Sequence, residues 1–454
     1  MAVPIINMKV VSIIVFFLIS ANDAFLTVSQ KQPRFITPNR PFKMKHHQRK
    51  SIHLKSHNDN SNAAEIRDML WRMTMFFGDM TDPSSDRFYY MCVPLSEERL
   101  HRRMPIQDLN AAWDSTKALM FWKEQQHDQH QQQHWLAGHS RFSDIKAVQQ
   151  QLKDSVYSTL QFYHGSYAFV GSCADGLALD SEVLLEPSNI AHSALMILVS
   201  TGALRLSIFQ DQNITPPPVD SLVRGIISVQ TKDGAFQTEY GSTSDASNVY
   251  CGIDFCSGKA MVALMDAYEL SEDMPELLMP YTKEAVLPCM KKAFDFYSKS
   301  YREGNVDTNC NNWQIQAFAR LFRALNGNEE ANLVADYCLE MCQDIVNLRS
   351  WKYQLTGGCS SYPNLETVEI ACGLDALVDG IDIALCKNMD AEATLFLRNA
   401  QNAICFLRWA QEQLPKDCIG HGGLGYGRLQ VLEQRLDVTG YTISALTKYC
   451  QLQQ

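Results

Sequence analysis

Lys232 to Tyr268 reads KDGAFQTEYGSTSDASNVYCGIDFCSGKAMVALMDAY, a Gly- and aromatic-rich loop that empties into an apolar helix. Ile253, Met261, Leu264, Met265 and Tyr268 recur at helical spacing in its second half. Its first half carries Asp233, Glu239, Tyr240, Tyr250 and Asp254 at the mouth of that helix. Loops of the same character precede helical patterns near Asn309 to Trp313, Thr356 to Glu369 and Gly420 to Tyr441. One device, a polar loop feeding a buried helix, is therefore used several times along the chain.

Working outward, amphipathic patterns run over Ala63–Phe77, Gln107–Lys123, Ile145–Tyr163, Pro187–Leu206, Val219–Gln230, Ile253–Leu270, Tyr281–Tyr301, Asn311–Leu325, Glu329–Leu348, Glu366–Cys386, Ala391–Leu414 and Leu436–Cys450. Tyr281–Tyr301 and Ala391–Leu414 carry an apolar stripe opposite many charges, as an outer helix does. Their partners are less charged and begin near residues 107, 187, 253, 311, 366 and 436. An interval of one antiparallel helix pair predicts an all-α (α/α)6 toroid of six pairs with little or no sheet. The stretch with Pro83, Pro94 and Pro105 reads as irregular, and QQHDQHQQQH (Gln125–His134) as a solvated low-complexity segment.

The 454 residues are 46% hydrophobic and 20% charged, with a formal net charge of −10. Nine Lys/Arg but only Asp23 and Asp59 lie within the first 60 positions, so the remainder carries 31 basic and 48 acidic residues, a net of −17. That balance argues against nucleic acid and anionic membrane as partners of the folded part. Residues 1–24 read as a signal peptide: Lys9, then the apolar run Val10–Ser20, then Ala21-Asn22-Asp23-Ala24. Residues 25–62 read as a basic, disordered transit segment, with eight Lys/Arg and no acid between Phe25 and Asn58. Residues 63–454 read as one domain. The Ala24/Phe25 junction followed by the acid-free basic run resembles the bipartite presequences of algae with secondary plastids, which implies delivery to the plastid stroma; plain secretion is the alternative.

Among the fourteen cysteines, Cys338, Cys342, Cys372, Cys386 and Cys405 fall inside helical patterns and read as small core hydrophobes. Cys418-x-x-His421, with Cys251, is too far from a zinc set in spacing to assign a metal, and nothing in the sequence implies a cofactor. Phosphate-cradling, dinucleotide-binding and nucleophile-elbow motifs are absent from the sequence.

The DGAF and GHGGLGYG loops before inner helices, with LDVTGYTISAL closing the chain, resemble the six-hairpin glycosidase-like (α/α toroid) superfamily over about Ala63 to Gln454. The resemblance implies a funnel at one end of the ring and a carbohydrate-active enzyme of hydrolase or lyase type. Two alternatives stay open: a non-catalytic toroid binding a glycan or protein partner, and a terpenoid or lipid cyclase. Sugar chemistry needs carboxylates and aromatic faces. The funnel-side loops offer Asp233, Glu239, Tyr240, Tyr250, Trp313, Tyr362, His421, Tyr426, Arg428, Arg435, Asp437 and Tyr441 for substrate, with Glu369, Glu366 and Asp254 as the catalytic candidates. Glu366 and Glu369 are neighbours on one helix turn, and two close carboxylates raise each other's cost of ionisation, so one could donate a proton. Helix capping is the competing role for Asp254 and Glu366, and an Arg435–Asp437 ion pair that locks the last loop is the competing role for that pair.

A fusion of Met1–Asn60 to a fluorescent protein is expected to enter the plastid of an alga with a secondary plastid, and Phe25→Ala to strand it outside the stroma. Imaging that finds the unmodified fusion secreted rules this address out.

Overall fold

A computed structural model of the chain describes residues 59–94, 96–100, 105–127, 142–168, 186–187, 189–212, 217–237, 253–277, 279–304, 312–348, 351, 367–414, 418–426 and 433–453. Among these residues the helices in chain order are α1 (Asp59–Asp79), α2 (Pro105–His127), α3 (Phe142–Ser166), α4 (Ile190–Arg205), α5 (Ile208–Gln212), α6 (Val219–Ser228), α7 (Ile253–Asp273), α8 (Pro280–Arg302), α9 (Asn312–Ala324), α10 (Glu329–Asn347), α11 (Thr367–Cys386), α12 (Asp390–Gln411) and α13 (Leu436–Leu452). Twelve of them are the helices that the sequence pattern predicts, and the short α5 is the addition.

Six of these helices close a ring. Helix α2 packs on α4, α4 on α7, α7 on α9, α9 on α11, α11 on α13, and α13 returns to α2. Outside them, α1, α3, α6, α8, α10 and α12 each pack on inner helices. The all-α toroid is thus seen directly in which helix touches which. The division follows from composition: a helix surrounded by helices must be apolar nearly all round, whereas an outer one needs a single stripe. On α4 every residue from Ile190 to Ala203 except His192 is buried. On α8 the buried set, including Val286, Met290, Ala293 and Tyr297, forms a stripe.

Close packing of six parallel helices needs small residues where backbones approach. A Cβ at Gly258 of α7 would stand 2.6 Å from the Cβ of Trp313 on α9. At Gly440 of α13 a Cβ would run into the carboxylate of Asp114 on α2.

Strands are short: β1 (Thr81–Asp82), β2 (Arg87–Phe88), β3 (Met91–Val93), β4 (Glu98–Leu100), β5 (Tyr167–Ala168), β6 (Glu186–Pro187), β7 (Leu424–Gly425) and β8 (Gln434–Arg435). The sequence gives no warning of the four-stranded sheet, of order β4-β3-β8-β7. It ties the segment after α1 to the segment before α13, with Met91 opposite Arg435 and Cys92 opposite Gln434. Runs of two or three residues are too short to show an alternating pattern, so this clasp is invisible until the chain is folded.

The C-terminal half of the ring's axis is lined with charge. On α11, Asp375, Asp379 and Asp382 recur at i, i+4 and i+7 and are all buried. Lys448 of α13 bridges Asp375 at 2.7 Å and Asp379 at 2.5 Å, and Arg323 of α9 holds Asp382 at 2.7 Å. Gln316 and Ser444 complete the partners of Asp375. A second knot joins Asp266 of α7 to Arg205 of α4 at 3.0 Å and to Arg320 of α9 at 2.7 Å, with the Thr201 hydroxyl donating as well. Burial opposes the charge on Asp266, but the two guanidiniums outweigh it and hold its carboxyl well below the usual range. Arg205 and Arg323 also sit at the C-terminal ends of their helices, where a cation complements the backbone dipole.

The cysteine expectation holds for Cys338 and Cys342, both buried, but needs correction elsewhere: Cys372 is half-buried, and Cys386 and Cys405 are exposed. Cys386 is the last residue of α11 and Cys405 lies off the buried set of the outer helix α12, so a thiol inside a helical pattern is not by itself a core residue.

Asp266→Ala leaves Arg205 and Arg320 buried without their shared anion and is expected to lower stability by about 3–5 kcal/mol. Urea unfolding of the variant, with a loss under 1 kcal/mol, would show that the knot contributes little.

Candidate functional site

The inner helices all enter the ring at one end, and there their first two turns converge on Lys259. This lysine lies on α7 and is fully buried. Its Nζ donates to Asn110 Oδ1 of α2 at 3.3 Å and stands 5.0 Å from the ring centre of Trp313 on α9. The acidic groups close enough to act on it are Cys256 of α7, Asp114 of α2, Asp437 of α13 and Cys372 of α11, while its charge in turn acts on His192 of α4. Each of the six inner helices therefore presents at least one side chain to this amine.

Burial sets the protonation here. It lowers the Lys259 ammonium from the ordinary 10.5 to about 8, against the pull of the four acidic groups. Burial, with the Lys259 charge beside it, lowers His192 to about 4, so that imidazole is neutral near pH 7. Burial likewise raises the Cys256 thiol above its ordinary value, which keeps it protonated. The site thus offers an amine that is partly neutral just above pH 7, a neutral imidazole and a neutral thiol.

Aromatic rings wall the same region. Trp313 stacks on Trp113 of α2, with centres 5.4 Å apart and planes inclined at 25°. Tyr441 of α13 meets Trp313 edge-on at 5.9 Å. Lys117 lies 3.2 Å over the Trp113 ring and pairs with Asp114 at 2.9 Å.

Beside this cluster, Arg435 grips Asp437 through Nε at 3.0 Å and a terminal nitrogen at 2.6 Å. The Tyr90 hydroxyl donates to the same carboxylate at 3.1 Å. The Arg435 guanidinium lies 5.0 Å from the ring centre of Tyr90 and 4.4 Å from that of Tyr426. The β3–β8 pairing positions this group, and Arg435 and Asp437 form the expected ion pair.

Among the sequence candidates, Trp313, Tyr426, Arg435, Asp437 and Tyr441 are brought together at this end of the ring. Trp313 is buried within the ring and not open to the solvent as a free platform. Asp233 goes elsewhere: it is exposed in a turn, bonded to Thr231, and the adjacent Gly234 has no room for a Cβ because of the Lys292 carbonyl of α8. His421 also belongs to an outer contact. Gly422 and Gly423 beside it press on Arg72 and Phe76 of α1, so GHGG is a seat for an outer helix. Glu369 stands in the first turn of α11, half-buried. Glu239, Tyr240, Tyr250, Tyr362, Glu366 and Arg428, and the side chain of Asp254, lie outside the described residues.

The sequence reading missed Lys259, Asn110, His192 and Tyr90. A signal for Lys259 does exist: in GKAMVALM it is a lone cation directly before a run of six apolar residues. Nothing in the local pattern marks Asn110 or Tyr90, whose partners come from helices and strands far along the chain. No group of three His, Cys, Asp or Glu among the described residues is placed to hold a metal ion, and no described helix is long and apolar enough to cross a membrane.

No family model matches the sequence, and no curated protein matches it either. Among solved structures, a possible member of the GH105 family from Salmonella enterica subsp. enterica serovar Paratyphi A is similar at 10% identity, over 91% of this chain and 99% of that one, with a TM-score of 0.49. The ring itself is established by the chain's own helix contacts.

Lys259→Met tests the electrostatics. The unfolded chain keeps a proton on Lys259 up to about pH 10.5 and the folded chain only up to about 8, so between those values stability rises with pH in the wild type. Methionine has no such penalty at low pH. Relative to wild type, the variant's stability is expected to fall by about 3 kcal/mol as pH rises from below 8 to above 10.5. Denaturant midpoints that track wild type at constant offset across that range would contradict a buried amine here.

Proposed function

We propose that this protein is a glycosidase-like toroid that binds a carbohydrate at the mouth of its ring, around Lys259, in the plastid. The observation that carries this reading is the convergence of all six inner helices on one site. There a hydrogen-bonding amine and amide, a neutral imidazole and the half-buried ring of Tyr441 lie together. Sugars are recognised by that combination, because hydroxyls need donors and acceptors at fixed positions while the C–H faces of the ring pack on aromatics.

Binding is preferred to hydrolysis because of the carboxylates. Asp437 is held by Arg435 and Tyr90. A carboxylate so neutralised is a poor general base, and glycoside hydrolysis needs two carboxyl groups working across the scissile bond. Hydrolysis would therefore fall to Glu369 with Glu366 or Asp254. The leader segment supports plastid delivery, and the acidic folded part supports a partner that is neither nucleic acid nor anionic membrane.

A screen of plastid oligosaccharides by calorimetry, with reducing-end release measured on the same samples, tests both readings. Binding is expected for wild type, with at least a tenfold loss in Tyr441→Ala and no turnover. Turnover that Glu369→Gln lowers roughly 100-fold, at unchanged melting temperature, would replace binding with hydrolysis. Absence of any binding overturns the sugar site.

A further inference from the structure

Cys418 opens the turn that leads into β7, and the fold gives it a neighbour that its spacing to His421 does not suggest. A Cβ on Gly420 would stand 2.6 Å from Cys92 Sγ and 3.4 Å from Pro94 Cγ, so the Cys92 sulfur rests against this turn. In the other direction, the Cys418 thiol donates to the Pro94 carbonyl oxygen at 3.8 Å. The contacts 92 to 420 and 94 to 418 thus run between the same two stretches of chain and make the two thiols diagonal neighbours. Charge on the Cys418 sulfur is felt at Cys92. The two differ in access: Cys92, on β3 opposite Gln434 of β8, is fully buried, whereas Cys418 is half-buried and meets solvent. Burial pushes the Cys92 thiol up to about 11, so Cys418 is the sulfur that reacts first.

We propose that Cys92 and Cys418 form a reversible disulfide by exchange with a small-molecule disulfide such as oxidised glutathione. The Cys418 thiolate attacks one sulfur of glutathione disulfide, that S–S bond breaks, and one glutathione leaves as its thiolate. Cys92 gives its proton to solvent and attacks Cys418 Sγ, and the second glutathione leaves in the same way. Two protein thiols are oxidised and one small disulfide is reduced to two thiols, so the electrons balance. Forming the bond turns the Cys418 side chain off the Pro94 carbonyl and draws the turn toward β3. The bond joins the strand after α1 to the turn before β7, two segments that the four-stranded sheet already links at the mouth of the ring. Oxidation therefore closes the ring covalently across more than three hundred residues of chain, which restricts the unfolded state. Cys338 and Cys342, one turn apart on α10, are fully buried and out of reach of the same reagent, while Cys386 and Cys405 are exposed and take up glutathione without forming this bond.

The experiment incubates the full chain near pH 8, where Cys418 is partly thiolate, with a series of ratios of oxidised to reduced glutathione. Remaining thiols are then blocked with N-ethylmaleimide in guanidinium chloride, and the disulfides are mapped by peptide mass spectrometry without reduction. A peptide pair joined through Cys92 and Cys418 is expected in most molecules at the oxidising end, lost again on adding dithiothreitol. The oxidised chain is expected to melt about 5 °C above the reduced one. Cys418→Ser, checked by circular dichroism to be folded, is expected to show neither the joined peptides nor the shift under the same treatment. Cys386 and Cys405 carrying glutathione while Cys92 and Cys418 are both recovered as maleimide adducts overturns the proposal. Glutathione retained on Cys418 with Cys92 free overturns it as well, since the two sulfurs then do not meet. A melting temperature that rises equally in Cys418→Ser shows that the stabilisation comes from another cysteine and overturns the covalent closure.

Discussion

Everything in this fold depends on neutralising the ring's axis. Where the six inner helices meet, the sequence places Asp114, Asp266, Asp375, Asp379, Asp382, Lys117, Lys448, Arg320 and Arg323 between or beside them. Charges taken out of water are tolerated only when each meets an opposite charge at hydrogen-bonding distance. The pairs that achieve this cross between helices: α11 to α13, α11 to α9, α7 to α4 and α9. Each pair also fixes the rotation of the helices that carry it, because a turn of a few tens of degrees would leave an ion buried alone. The apolar faces supply most of the driving force. The ion pairs select one arrangement of those faces.

The two halves of the axis differ in charge. In the C-terminal half, cations and carboxylates are interleaved, and the helix ends carry Arg205 and Arg323. In the N-terminal half, the groups around Lys259 are polar and mostly neutral: Asn110, His192, Cys256 and Cys372, with Asp437 drawn aside by Arg435. The first half is pinned by ion pairs that cross between helices, whereas in the second the inner helices meet around one buried amine. The short sheet that joins β3 to β8 closes the ring at this same end and holds Arg435 and Tyr90 on either side of the Asp437 carboxylate.

What the sequence by itself determined was the architecture. Helical periodicity separates striped outer helices such as α8 from all-apolar inner ones such as α4, and the alternation of the two at the interval of one helix pair leads to a ring. These are local properties, written within ten to twenty residues, and so they are legible without the fold. The Arg435–Asp437 pair was legible for the same reason, being two positions apart. The tertiary structure alone decided the site. Lys259 matters because Asn110, 149 residues away, and Trp313, 54 residues away, come to it. GHGG is a packing seat because α1 lies beneath it, and Asp233 is excluded because its turn rests on α8. Such assignments depend on which helix faces which, and helix facing is set by the summed burial of the whole ring and by the ion pairs along its axis. No stretch of sequence carries that information alone.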